Sequence, residues 1–105
     1  MAGIEFKGDN FVSETAKGNV IVDFFATWCG PCRMMAPIYD KLSHEISNVK
    51  FGFVDIDKNQ ELARKFNVMG VPTFLFLKDG KEVDKIVGGM DYEDFKAKIK
   101  EVFRL

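Results

Sequence analysis

A chain of 105 residues has room for one hydrophobic core, so residues 1–105 are expected to form a single domain. Hydrophobic residues make up 47% of the sequence and charged residues 30%, a balance that excludes a disordered chain. The 15 Lys and Arg are scattered among 16 Asp and Glu, giving a net charge of −1 without a basic tract. Binding to nucleic acid or to an acidic membrane needs a concentrated positive field and is therefore not expected.

The start of the sequence, residues 1–7, has no basic segment leading into an apolar one. No later stretch approaches the ~20 apolar residues of a membrane span. We therefore expect a cytoplasmic monomer without a membrane partner. A disulfide between the two cysteines, Cys29 and Cys32, would close a minimal loop and stabilise little. In a reducing compartment this pair is expected to serve chemistry rather than architecture.

The first half of the chain predicts two strands and two helices. Alternation at residues 4–6 indicates a short strand, and Asp9 is a suitable N-cap for a short amphipathic helix ending near Gly18. The almost unbroken apolar run at residues 20–26 predicts a central strand covered on both faces. A helix of about four turns follows, and Pro37 inside it should kink it. Its apolar stripe consists of Met35, Ile38, Tyr39, Leu42 and Ile46.

The second half predicts a strand at residues 51–56, a short helix, a hairpin and a last helix capped by Asp91. An Asp-Gly pair in the turn at 78–81 joins the hairpin strands 73–77 and 82–87. The inner face of the short helix consists of Leu62, Ala63 and Phe66. That of the last helix consists of Phe95, Ile99, Val102 and Phe103. The order βαβαβαββα predicts an α/β fold. Its mixed five-stranded sheet has helices on both faces, because βαβ units pair strands in parallel and a hairpin adds antiparallel pairing.

The strongest functional signal is Cys29-Gly30-Pro31-Cys32, placed where the buried strand ends and the long helix begins. Two thiols at this spacing near a βαβ unit are typical of a redox site. A free cysteine has a pKa of about 8.5, and the dipole and unpaired N–H groups of a helix N-terminus favour its thiolate. Cys29, at the loop edge, is therefore expected to attack an external disulfide. Cys32, turned toward the helix interior, is expected to resolve the mixed disulfide.

The residues between the thiols fit this role. Pro31 has a fixed φ that suits a first helical turn and stiffens the loop, while Gly30 lets a partner chain approach closely. An inert pair of core thiols and half of a metal site are the alternatives. Zinc and iron–sulfur sites usually need four ligands, and the other soft ligand, His44, lies off the apolar stripe. No metal is therefore expected.

Asp23 is the second signal, because it places a carboxylate in the middle of an apolar strand. Lost hydration should raise its pKa toward neutrality. If Asp23 lies beneath the cysteines, it could accept the proton of Cys32, directly or through water, while the mixed disulfide is resolved. The alternative is an Asp that leans into solvent at an irregularity of the strand.

Three further segments complete a candidate apolar rim. Pro72, within Gly70-Val71-Pro72-Thr73, directly precedes a strand. A cis Val71–Pro72 bond is compatible with this position, although trans is favoured by about 0.5–1 kcal/mol. Trp28 adjoins the first cysteine, and Gly88-Gly89 follows the last strand. Taken alone, each is consistent with an ordinary turn or a surface aromatic residue.

Together these residues make the chain resemble the thioredoxin family over essentially its whole length. The matching pieces are Val22-Asp23-Phe24, Ala26-Thr27-Trp28-Cys29-Gly30-Pro31-Cys32, Pro37, Val54-Asp55-Ile56-Asp57, Val71-Pro72-Thr73, Lys78-Asp79-Gly80 and Val87-Gly88. A lone Cys-x-x-Cys is weak evidence. The Trp-Cys-Gly-Pro-Cys segment joined to the upstream Asp and the downstream Val-Pro-Thr is highly specific.

The resemblance implies the thioredoxin fold, with strand order 1-3-2-4-5, four flanking helices and a dithiol that reduces client disulfides without a bound cofactor. A flavoprotein thioredoxin reductase, drawing on NADPH or ferredoxin, would reload the dithiol. The resemblance also implies that Asp23 is the buried carboxylate, that the Val71–Pro72 bond is cis and that an extended client segment pairs with Val71. The implied docking face consists of Trp28, Gly30, Pro31, Gly70, Val71, Pro72, Gly88 and Gly89.

Two positions depart from the family pattern. Many members have Trp where this chain has Phe25, an exchange that concerns packing. Many have Lys on the third strand where this chain has Phe53, which leaves Asp23 without a nearby cation. The pKa of Asp23 is then determined less by pairing with a charge and more by desolvation.

Four functions are compatible with this motif. The Gly-Pro pair between the cysteines accompanies strongly reducing family members and favours an electron-carrying disulfide reductase. Disulfide oxidases and isomerases tend to have His between the cysteines and a secretion signal, and neither is seen here. A protein-binding module in which redox turnover is incidental is the third hypothesis, and a metal carrier ranks last.

Overall fold

The computed structural model describes residues 3–105, which form five strands and four helices. They are β1 (Ile4–Glu5), α1 (Phe11–Thr15), β2 (Asn19–Phe25), α2 (Gly30–Glu45), β3 (Lys50–Asp55), α3 (Gln60–Lys65), β4 (Thr73–Lys78), β5 (Lys81–Val87) and α4 (Tyr92–Phe103). The order is the predicted βαβαβαββα. Met1 and Ala2, the first residues of the predicted domain and of the segment considered as a targeting signal, lie outside the described residues.

The strands form one sheet in the order β1-β3-β2-β4-β5, which confirms the order implied by the family resemblance. β1, β3 and β2 run parallel, whereas β4 pairs antiparallel with both β2 and β5. β2 is therefore the central strand. In its middle, Asp23 lies opposite Phe53 of β3 on one side and opposite Phe74 of β4 on the other.

Apolar side chains cover both faces of the central strands, because successive residues of a strand point to opposite faces. On one face, Ile21 and Phe74 pack with residues of α2 and α4. On the other face, Val22 and Leu75 pack with residues of α1 and α3. All four side chains are fully buried. Each such burial contributes roughly 1.5–3 kcal/mol, so one layer holds α2 and α4 against the sheet and the other holds α1 and α3 against it.

The helix ends follow capping chemistry, with one correction. Asp91 caps α4 as predicted, since its carboxylate accepts the N–H of Asp94 at 2.8 Å. The predicted cap of the first helix, Asp9, is wrong, because Asn10 occupies the N-cap position. The Asn10 side chain accepts the N–H of Lys7 at 2.6 Å and so closes the preceding turn. α1 is correspondingly short, with five residues.

Two local features concern α2 and the turn between β4 and β5. α2 runs for 16 residues from Gly30 to Glu45 and continues through Pro37. The hairpin turn between β4 and β5 has Asp79 and Gly80 at φ of 50° and 83°, as an Asp-Gly pair in a two-residue turn requires.

Within residues 3–105, no helix has both the length and the apolar character needed to cross a membrane.

Candidate redox site

The two cysteines meet at the N-terminus of α2, where a disulfide bond joins them. Cys29 is the N-cap residue, Cys32 lies in the first turn, and their Cα atoms are 5.3 Å apart. The backbone N–H of Cys32 donates to the Sγ of Cys29 at 3.1 Å. First-turn N–H groups have no partner within a helix and carry its positive dipole end. The first sulfur therefore sits where negative charge is stabilised.

Both sulfurs are nearly covered in this disulfide form. Only 4% of Cys29 and 5% of Cys32 is exposed, so exposure in this form does not separate the attacking cysteine from the resolving one. The reason is packing: the two side chains cluster with the buried Ala26, and the partly buried Val71 lies against this cluster. The exposed pair Gly30–Pro31 leaves the loop between the sulfurs open to a client.

Asp23 is buried within the sheet, with 1% of its area exposed, as its place in an apolar strand predicted, and the alternative of an Asp leaning into solvent is excluded. Its Oδ1 has no hydrogen-bond partner among the described residues. Because strand side chains alternate, Asp23 shares a face with Ile21, which packs against α2. Burial raises the pKa of Asp23 from 3.8 to about 7, since an apolar environment disfavours the carboxylate. This carboxyl group can exchange protons near neutral pH.

The segment before β4 meets the segment after β5 beside the disulfide. The Val71–Pro72 peptide bond is cis, as the family resemblance implied. The N–H of Gly88 donates to the carbonyl oxygen of Pro72 at 2.8 Å, and the hydroxyl of Thr73 donates to that of Gly70 at 2.6 Å. Val71 packs against the buried cysteines. The structure thus brings two of the predicted rim segments together next to the site.

The comparison with known proteins decides the family. The family model described as Thioredoxin matches residues 3–101. The chain belongs to the thioredoxin family. A thioredoxin of Chlamydia caviae is 47% identical over 83 residues, which cover 79% of this chain and 81% of that protein. A thioredoxin of Bacillus subtilis is 45% identical over 89 residues, 84% of this chain and 86% of its own length.

A fungal relative shows the same coverage. Thioredoxin Asp f 28 of Aspergillus fumigatus is 46% identical over 88 residues, 84% of this chain and 82% of that protein. With the disulfide of Cys29 and Cys32 at the start of α2, family membership makes the protein a thiol–disulfide oxidoreductase. Its redox-active group belongs to the chain itself. The recognition, fold and activity predicted from the motifs are confirmed.

One contact of this thioredoxin-family site was missed by the sequence reasoning. Trp28 is 64% exposed, and its indole N–H donates to the carboxylate of Asp57 at 2.9 Å. The family match includes Asp57, but nothing in the pattern assigned it a partner. The available signal was topology: segments that follow adjacent parallel strands, here β2 and β3, emerge at the same edge of a sheet.

A second missed contact lies under the site. Tyr39 was predicted only as part of an apolar stripe, yet its buried hydroxyl lies 3.0 Å from the carbonyl oxygen of Ile21 and 2.7 Å from that of Gly52, and its single proton is shared between these two acceptors. It also accepts the N–H of Gly52 at 3.3 Å. Burial, and then the nearby charge of Asp23, raise the pKa of Tyr39 above its usual value. The hydroxyl ties α2 to β2 and β3.

His44, the soft ligand considered for a metal, lies on the outer part of α2 with 76% of its side chain exposed. Its Nδ1 lies 2.8 Å from the carbonyl oxygen of Asp40. Across residues 3–105, no group of three or more His, Cys, Asp or Glu side chains is arranged to hold a metal ion.

Proposed function

We propose that this thioredoxin-family protein reduces disulfides of client proteins, with Cys29 as the attacking and Cys32 as the resolving cysteine. The observation that carries the assignment is the N–H of Cys32 donating to the Sγ of Cys29 at 3.1 Å at the start of α2. This donor, the helix dipole and the N-cap position all favour a thiolate on the first sulfur.

The exchange takes place in two steps. The thiolate of Cys29 attacks one sulfur of the client disulfide, forms a mixed disulfide and expels the other client sulfur as a thiolate. The thiolate of Cys32 then attacks the Sγ of Cys29, which re-forms the protein disulfide and releases the second client thiolate. Two electrons pass to the client, and the client thiolates take up protons according to their pKa.

We propose that Asp23 accepts the proton that Cys32 must lose before it attacks. The carboxyl group is buried on the face of β2 that packs against α2, and its Oδ1 has no other partner among the described residues. Its pKa of about 7 matches proton exchange near neutrality. Transfer takes place directly or through a water molecule.

Asp23→Asn tests this role in single turnover. The preformed mixed disulfide should resolve about a hundredfold more slowly near pH 7, the low end of the effect of a positioned base. The inflection of the parent's resolution rate near pH 7 should also disappear. Asp40→Asn, which alters an exposed carboxylate of α2, serves as the matched control. An unchanged profile in Asp23→Asn would assign the proton to another acceptor.

We propose that clients dock on the surface around the disulfide loop. Its residues are Trp28, Gly30, Pro31, Gly70, Val71, Pro72, Gly88 and Gly89. The hydrogen bond from the N–H of Gly88 to the carbonyl oxygen of Pro72 and the packing of Val71 against the cysteines support a fixed edge beside the sulfurs. An extended client segment would pair with the backbone of Val71 along this edge.

We further propose that a thioredoxin reductase returns electrons to the disulfide, and that the protein works as a single-domain monomer in the cytoplasm. The relatives named thioredoxin support the reductase partner. A dithiol that must be kept reduced suits a reducing compartment. Sedimentation of the reduced protein should report one chain, and thiol trapping in fractionated cells should find the reduced form in the cytoplasm.

Reduction of insulin by dithiothreitol tests the cysteine roles. Cys29→Ser should reduce the catalysed rate to the uncatalysed background, because the attacking thiol is lost and the remaining thiol, Cys32, is the resolving one. Cys32→Ser, first reduced and then freed of dithiothreitol, should accumulate a mixed disulfide with insulin that is visible by mass spectrometry. An adduct on Cys29→Ser and none on Cys32→Ser would reverse the two roles.

Equilibration with glutathione distinguishes a reductase from an oxidase or isomerase. The Cys29–Cys32 couple should be more reducing than the glutathione couple, and a value on the oxidising side would contradict the reductase function. Biological activity retained in a variant with both cysteines changed to Ser would instead favour a binding module.

A further inference from the structure

Tyr39 carries a hydroxyl group into the apolar layer between the sheet and α2, where 1% of the residue is exposed. On β3, this oxygen lies 2.7 Å from the carbonyl oxygen of Gly52 and accepts the N–H of the same residue at 3.3 Å. On β2, it lies 3.0 Å from the carbonyl oxygen of Ile21. α2 cannot slide along the strands without leaving these groups unpaired, which costs roughly 1–3 kcal/mol for a buried hydroxyl.

The backbone that Tyr39 binds lies next to Asp23 on both strands. Ile21 is two residues before Asp23 on β2, so their side chains share one face of the sheet. Gly52 directly precedes Phe53, the residue opposite Asp23 on β3. The other face also fixes this part of β3, because a Cβ atom at Gly52 would collide with the Phe6 ring. The hydroxyl is therefore attached to backbone whose place determines that of the Asp23 carboxyl group.

The ring of Tyr39 packs against the same region. Its centroid lies 5.7 Å from that of Phe74, the residue opposite Asp23 on β4. It also lies 5.2 Å from the ring of Phe51 and 6.3 Å from that of Phe95. Three buried rings thus fix the direction in which the Tyr39 hydroxyl points.

Tyr39 and the proposed resolving cysteine lie on one face of α2, whose buried residues are Cys32, Met35, Tyr39 and Leu42. α2 connects the parallel strands β2 and β3 and so runs back against the direction of β2. From Tyr39, Cys32 lies about 10 Å toward the start of α2, and Asp23 lies about 7 Å beyond Ile21 toward the end of β2. Both displacements point to the same end of the sheet, so Asp23 lies between the Tyr39 contacts and Cys32.

We propose that Tyr39 is a positioning residue for the second step of the exchange, because its hydroxyl holds α2 where the Cys32 thiol can pass its proton to Asp23. The proposal rests on the disulfide reductase function and on the role of Asp23 proposed above. The proton leaves the Sγ of Cys32 and ends on the carboxylate of Asp23. The Cys32 thiolate then attacks the Sγ of Cys29 and expels the client thiolate. Tyr39 keeps its own proton, since burial raises the pKa of its hydroxyl above the usual value.

Tyr39→Phe removes the hydroxyl and keeps the ring, and stopped-flow kinetics at pH 7 tests its effect. The intact protein is reduced, freed of dithiothreitol and mixed with rising concentrations of a peptide that contains one disulfide. The fluorescence of Trp28, the single tryptophan and the neighbour of Cys29, reports both steps. The second-order rate constant measures attack by Cys29, and the limiting rate at saturating peptide measures resolution by Cys32.

Tyr39→Phe should slow resolution roughly tenfold, within the hundredfold that a misplacement of about 1 Å can cost. Attack should keep the parent's rate constant, because the Cys29 thiolate depends on the N–H of Cys32 within the first turn of α2. This split between the two steps distinguishes positioning from a structural role. Partial unfolding would lower the amplitude of both phases and would not slow resolution alone.

The same substitution in Asp23→Asn decides whether Tyr39 acts through the carboxyl group. Once the proton acceptor is gone, the place of α2 relative to it has no effect, so Tyr39→Phe should change resolution by less than about twofold. Tyr92→Phe, which removes a hydroxyl from α4, is the matched control and should keep the parent's rates.

Leu62→Ala controls for stability. It lies in the opposite layer and should cost about 2–5 kcal/mol, at least as much as Tyr39→Phe, while the parent's resolution rate is kept.

Four outcomes would overturn the role of Tyr39 alone. They are unchanged resolution in Tyr39→Phe, equal slowing of attack and resolution, equal slowing with and without the Asp23 carboxyl group, and the same slowing in Leu62→Ala. An unchanged resolution rate in Asp23→Asn by itself would overturn the proposed proton acceptor and the role of Tyr39 with it. Failure of the parent to reduce the peptide would overturn the reductase function.

Discussion

Asp23 of β2 and Phe53 of β3 lie directly opposite each other in the parallel register, so a buried carboxylate is paired with an apolar position. The Phe53 ring meets the Phe25 ring edge-on, with centroids 5.8 Å apart. Burial is accordingly the cause that raises the pKa of Asp23 to about 7. The two departures from the family pattern, at positions 25 and 53, thus pack against each other beside the proposed proton acceptor.

Phe53→Lys should lower the pKa of Asp23 clearly below 7, because a cation within about 4–6 Å stabilises a carboxylate. The carbon NMR shift of the Asp23 carboxyl group, followed against pH in the oxidised protein, measures this directly. Phe53→Leu keeps the position apolar and should leave the pKa near 7. An unchanged titration in Phe53→Lys would show that its ammonium group stays in solvent.

Asp23→Asn should stabilise the protein above neutral pH. The folded-state pKa of about 7 exceeds the ordinary value of 3.8, so the folded chain holds more protons between these pH values. Stability therefore falls as pH rises from 3.8 to 7 and then levels off. The difference between the two pKa values corresponds to about 4 kcal/mol of stability that the parent loses above pH 7. Asn removes this loss, but burying its amide without partners costs roughly 1–3 kcal/mol.

Urea unfolding at two pH values measures this effect. At pH 8 the variant should gain about 2 kcal/mol in free energy of unfolding, and at pH 4, where the parent's carboxyl group is neutral in the folded state, it should lose roughly 1–3 kcal/mol. The parent's loss of stability between these pH values should be largely absent from the variant. A parent whose stability does not fall over this range would contradict the raised pKa.

Tyr39→Phe should destabilise the protein by about 1–3 kcal/mol, because the N–H of Gly52 loses its acceptor and the carbonyl oxygens of Ile21 and Gly52 lose the one hydroxyl proton that they share. Urea denaturation gives the free energy of unfolding. The matched control is Tyr92→Phe, which removes a partly exposed hydroxyl bonded to Glu45 and should change stability by less than about 0.5 kcal/mol. Equal effects of the two variants would mean that the Tyr39 hydroxyl contributes nothing specific.

Asp57→Ala should free the indole of Trp28, whose N–H then loses its partner in the protein. Trp28 is the single tryptophan, so a fall in fluorescence anisotropy reports its mobility without ambiguity. The free energy of unfolding should change by less than about 1 kcal/mol, since the contact is exposed. Asp57→Asn keeps an oxygen acceptor and should preserve the anisotropy; a loss in both variants would assign the effect to charge.

Regular structure was predictable because periodicity is local. The apolar run of β2, the stripe of α2 and the Asp-Gly turn each depend on neighbours within a few residues. The strand order came from the family resemblance, since the pattern alone restricts topology only to a mixed sheet. The N-cap of α1 was misassigned to Asp9 because Asn10 and Asp9 are both good caps and only the turn geometry separates them.

By itself, the sequence determined the reacting pair and the family. Cys29 and Cys32 are three positions apart at a strand–helix junction, so the local chain alone brings their sulfurs together. Only the tertiary structure decided how deeply both cysteines are covered, which partner Trp28 has and what the Tyr39 hydroxyl contacts. These features join segments far apart in the chain, and their meeting depends on the packing of the whole sheet against its helices.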